Sequence, residues 1–180
     1  MNDMNEGCLI EDPVSGETYA VLRFKRKELL YDIENVAYVE GHVMPDEAEH
    51  ARHTVIDIGA EGNVDRVTRM MDLTVAKCRE MLYSWSRRGV TSSEISDDFK
   101  ESGEYAILLR LPSEFSQTTL ELMEMMIHDY IVSSVLADWC GIAYPDKADY
   151  WYAKRAGAED ELRTMLQTRM TKVRRKSHWV

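Results

Sequence analysis

Apolar residues along this chain recur mostly at helical spacing, with one short alternating stretch among them. Between Lys25 and about Glu40, Leu29, Ile33 and Val36 fall at i, i+4 and i+7, and Gly41 supplies a stop, so a first helix is expected there. Pro45 followed by Asp46 and Glu47 is a helix-start signature, because proline presets φ and acids meet the positive end of the helix dipole. Ala48, Ala51, Val55 and Ile58 give that short second helix its apolar stripe, and Gly59 and Gly62 close it. Asn63 can cap a third helix, in which Val64, Val67, Met71, Val75, Cys78, Leu82 and Trp85 are spaced 3, 4, 4, 3, 4 and 3. This is the most regular stripe in the chain, and it predicts a helix packed on a helical partner.

The polar segment 86–103 reads as a loop, after which Tyr105, Ile107, Leu109 and Leu111 alternate with Ala106, Leu108 and Arg110 as in a half-buried strand. A strand cannot stand alone, and its partner could be Thr18–Phe24, a segment from 90–100, or a neighbouring subunit. Pro112 breaks the strand. Ser113 or Ser116 can cap a long helix to about Cys140 whose apolar residues wrap most of its circumference, which places it centrally. Pro145 and Asp146 start a last helix, in which Gly157 costs about 1 kcal/mol relative to alanine. Residues 1–20 look like an arm or a short strand pair turning at Asp12–Gly16. The expected architecture is mainly α, a bundle of about five helices with a small β element around 105–111. It divides into an arm (1–20), one helical domain (21–168) and a basic tail (169–180).

Charge sharpens the picture at one end. The 180-residue chain carries −10 overall, but the six basic residues after Glu161 have no acid among them, leaving 16 basic against 32 acidic residues upstream. Arg169, Lys172, Arg174, Arg175 and Lys176 are therefore candidates for contact with nucleic acid or an acidic partner, with a solvated terminus as the plain alternative. Cys8, Cys78 and Cys140 are scattered and odd in number, which fits a reducing compartment better than a disulfide framework or zinc site. No secretory signal is apparent, and no apolar run approaches the roughly 20 residues that span a bilayer.

Catalytic signatures are sparse. Glu47, His50 and His53 only partly share a helix face. Glu121, Glu124 and His128 could line a metal site in a bundle core, but matching Glu-x-x-His units on other helices are missing, and a solvent-facing stripe is the simpler reading. No nucleophile elbow, P-loop or dinucleotide fingerprint occurs. No catalytic residue, metal or cofactor is expected. Tyr105, Ile107, Leu109, Trp151 and Tyr152 are candidate interface residues, the aromatic pair serving equally well as a helix–helix core contact.

The block from Glu104 onward resembles small structural proteins of tailed bacteriophages, in particular the neck or head–tail connector (adaptor) group. The residues that carry the likeness are Tyr105-Ala-Ile-Leu-Leu-Arg-Leu-Pro112, then Ile127-His-Asp-Tyr-Ile-Val132 to Leu136-Ala-Asp-Trp139, and the helix from Pro145 through Leu162-Arg-Thr-Met-Leu166. Phe24-Lys-Arg-Lys-Glu-Leu-Leu-Tyr31 and Gly62-Asn-Val-Asp-Arg-Val67 are similar to prophage proteins of gut Bacteroidales. The resemblance implies a virion protein made in a bacterial host cytoplasm. It would form a homo-oligomeric ring, bind portal or tail proteins, and act as a connector or in tail completion. It implies no enzymatic activity and no membrane partner. A rival reading is a prophage DNA-binding or regulatory accessory protein that uses the basic tail.

Overall fold

The computed structural model describes residues 9–11, 18–83, 103–111 and 115–170. Its elements run β1 (Leu9–Glu11), β2 (Thr18–Lys25), α1 (Arg26–Val43), α2 (Glu49–Ile56), α3 (Glu61–Met81), β3 (Glu104–Leu111), α4 (Gln117–Ala143) and α5 (Pro145–Met170), with 3-10 turns at Asp46–Ala48 and Asp57–Gly59. The chain is a mainly α bundle of five helices carrying a small antiparallel sheet. Among the described residues no helix is long and apolar enough to cross a membrane.

Strand β3 finds its partner within the chain. It pairs antiparallel with β2 over the full length of both, from Thr18 opposite Leu111 to Lys25 opposite Glu104. The short β1 adds a third strand on the other side of β2, Leu9 lying opposite Ala20. Period-two alternation puts Ala20, Leu22 and Phe24 beside Tyr105, Ile107, Leu109 and Leu111 on the core face. Residues 9–11 and 18–20 therefore belong to the sheet, so the expected arm is in part the strand pair that was its alternative reading, and Ala20 is wholly buried.

Helix α4 is the hub, although not uniformly. From Tyr130 to Ala137 every residue is buried, so the helix is enclosed all round there. Its first half keeps only one face inside, with Leu120, Met123 and Ile127 buried, while Leu122 is 50% and Met125 69% exposed. Helix α5 returns antiparallel along α4 through apolar contact, and Lys154–Asp129 at 3.5 Å and Arg155–Asp138 at 3.6 Å lie along the seam. The stripe on α3 buries Val67, Met71, Val75, Cys78 and Leu82 as its spacing requires, and Trp85 lies outside the described residues.

Several glycine and cap expectations change. Gly41 does not stop α1. It sits inside the last turn, where an added Cβ would fall 2.4 Å from Ile56 Cγ1, so its role is to let α1 and α2 approach. Gly59 likewise makes room, here for Glu34, whereas Gly62 lies within the first turn of α3 with open space around it. Asn63 does not cap α3, which begins two residues earlier; its side-chain amide instead donates to the Asp57 carbonyl at 2.8 Å. Ser116 does occupy the N-cap of α4, but its carbonyl rather than its hydroxyl receives the first helical N–H groups, those of Thr119 and Leu120.

Candidate functional site

A groove of about 980 Å³ opens where the first half of α4, the middle of α5 and the end of β2 meet. Its apolar floor comes from Phe24, Leu122, Met125, Met126 and Ala158, with Gly157 leaving one wall low. The two most exposed floor residues, Leu122 and Met125, lie three apart on α4, so they present one face away from the core. A shallower recess of about 360 Å³ continues past Glu28 and His128 to Tyr31 and Asp32 on α1.

Charges of both signs rim the groove, and most have partners. Arg23 reaches Glu104 at 3.4 Å, Lys25 reaches Glu28 at 3.0 Å, and Lys154 reaches Asp129 at 3.5 Å. These pairs are exposed and contribute little to stability. Their effect is to cancel the basic groups. Glu121 and Glu161, on facing helices, make no ion pair among the described residues, so the groove's residual charge is negative.

The sheet brings one end of β2 to the same place. Arg79 donates from Nε (3.3 Å) and Nη2 (2.9 Å) to the Ala106 carbonyl, which therefore points away from β2. In an antiparallel ladder this makes Ala106 and Arg23 a non-hydrogen-bonded pair, so Arg23 and Val21 aim their N–H and C=O groups toward the β1 side. Among the described residues β1 pairs with β2 from Thr18 to Ala20.

The two carboxylate–histidine clusters behave as polar surface. Glu121 and Glu124 line the groove, but His128 turns to Asp32 on α1, 3.1 Å away, and becomes a strut between helices. On α2 His53 lies 4.0 Å from Glu49 and is well exposed. Among the described residues no three His, Cys, Asp or Glu side chains converge as metal ligands.

The candidate interface residues are mostly inside the protein. Tyr105, Ile107, Leu109 and Trp151 are at most 6% exposed, because they face the core from β3 and α5. Their contact with a neighbouring subunit is corrected accordingly: the same alternation that marks a strand marks its buried face. Tyr105 instead donates its hydroxyl to Asp72 at 2.6 Å, which joins the sheet to α3. Only Tyr152 remains accessible, with Arg155 lying 5.0 Å above its ring. The side chain of Arg169 and all of Lys172, Arg174, Arg175 and Lys176 lie outside the described residues.

Sequence reasoning missed the groove, since its residues come from three separated elements. The available signal was the pair Leu122 and Met125, apolar positions off the buried 120–123–127 stripe of α4. Burial also settles the cysteines: it pushes the Cys78 thiol up to about 12, with Glu159 adding to the shift, and Cys140 up to about 11, with Glu40 adding. Neither is a nucleophile at neutral pH. Compared with protein-family models, curated proteins and solved structures, the chain matches none.

Proposed function

We propose that this chain is a structural component of a tailed-phage virion, a head–tail connector or tail-completion protein that works by binding copies of itself and its portal or tail neighbours. The observation that carries this reading is the amphipathic groove: a wide apolar floor with a charged rim on the hub helix of an otherwise well-packed bundle. Leu122 and Met125, exposed beside charged rim residues, are side chains that a partner could cover. Further exposed apolar side chains on α1 (Tyr31, Tyr38, Val39 and Val43) give a second face of the same character. The strand–proline–helix–proline–helix order of the second half, with its connector-like motifs, supports the virion assignment.

Mass spectrometry of purified particles from a host carrying this gene tests the reading. The chain should be present at a fixed copy number per particle and should remain with the neck when heads and tails are separated. Its absence from particles would overturn the proposal. The basic tail supports a second reading, a DNA-binding accessory protein. That role requires salt-sensitive DNA binding that disappears when Arg174 and Arg175 are replaced by Glu.

A further inference from the structure

The groove and the C-terminal tail are complementary in every property that an extended ligand would need to match. The floor offers exposed thioether and leucine surface at Met125 and Leu122, and its unpaired charges are the acids Glu121 and Glu161. Residues 171–180, Thr-Lys-Val-Arg-Arg-Lys-Ser-His-Trp-Val, carry four cations and no acid and end on Trp179-Val180. Cations would meet Glu121 and Glu161, and Trp179 would supply the aromatic anchor that a Met-lined floor accommodates.

Helix α5 lines the groove between Lys154 and Glu161 and then runs on to Met170. At 1.5 Å per residue its last residue lies about 14 Å past the groove along the helix axis. A segment that begins there must double back to meet its own groove, whereas the groove of a second copy needs no reversal. The donor (the tail) and the acceptor (the groove) are different surfaces, so such a contact is head-to-tail and propagates into a ring or filament.

We propose that residues 171–180 of one copy bind the α4–α5 groove of the next. This rests on the assembly reading and names the contact that builds the ring. The test uses two full-length variants with reversed charge. One carries Glu121→Lys and Glu161→Lys in the groove; the other carries Arg174→Glu and Arg175→Glu in the tail. Both groove positions are exposed, and circular dichroism checks that the fold is kept.

Light scattering should give an oligomer for the unaltered protein and self-association weakened about tenfold or more for each variant alone. An equimolar mixture of the two should reassemble, because each tail then faces a groove of opposite sign. An unaltered protein that stays monomeric would overturn the tail–groove contact, as would an oligomer indifferent to either reversal, or a mixture that stays apart. A reversal-proof oligomer, or a monomer found in virions, would leave the assembly reading intact while removing this contact.

Discussion

At the residue scale, burial controls the titratable groups more than any neighbour does. Desolvation raises the thiols of Cys78 and Cys140 and the phenols of Tyr105 and Tyr130, and Asp72 pushes Tyr105 further the same way by accepting its hydrogen bond. Each group holds its proton more tightly folded than unfolded, so its contribution is complete below the unfolded pKa and is lost as pH rises through the folded one. For Cys78 the loss runs from 9.0 to about 12. Lys147, raised by its hydrogen bond to Glu40, acts in the same direction. The urea midpoint should therefore fall as pH rises above 9; a flat or rising midpoint would contradict this. Neither Cys78 nor Cys140 should react with a thiol reagent at pH 8 until denaturant is added. Replacing Tyr105 with Phe removes its hydrogen bond to the exposed Asp72 carboxylate, which regains water, and should cost about 0.5–1.5 kcal/mol in chemical denaturation.

At the element scale, two glycines inside helices should respond oppositely to alanine. At Gly41 the new Cβ would run into Ile56 and force α1 from α2, an overpacking expected to cost about 1–3 kcal/mol. At Gly157 nothing lies within 4 Å, so the substitution should stabilise α5 by up to about 1 kcal/mol. Thermal melts of the two variants decide it, and equal shifts would contradict the assigned roles. Gly41 also shows where the sequence was legible and where it was not. A glycine after an amphipathic run reads as a helix stop, because a local pattern cannot reveal a second helix crossing at that point. Period and alternation worked wherever one face of an element is buried, as on α3 and β3. They could not say that β3 pairs with β2 across the intervening α1–α3 segment, since pairing is set by the whole fold. Nor could they distinguish a strand's core face from an interface, which is why Tyr105, Ile107 and Leu109 looked available.

At the scale of the molecule, the fold separates an enclosed centre from a margin with exposed apolar side chains. The enclosed half of α4, Tyr130 to Ala137, bonds the bundle together, and Trp139 donates to the Thr54 carbonyl at 3.2 Å to fix α2 beside it. Truncating Ile131 or Leu136 to alanine should cost about 2–5 kcal/mol through the cavity left behind. Met125→Ala, on the exposed half, should leave the melting temperature nearly unchanged and weaken association instead. The groove was illegible in the sequence because its floor and rim come from β2, α4 and α5, whereas the basic run near the end was plain from composition alone. The most direct test of the proposed assembly role is the mass of the purified full-length chain by light scattering over rising concentration, alone and with the proteins of neighbouring portal and tail genes. An oligomer of defined size, or a stable complex with one of those neighbours, is the expected result. A monomer at every concentration that binds neither would contradict it.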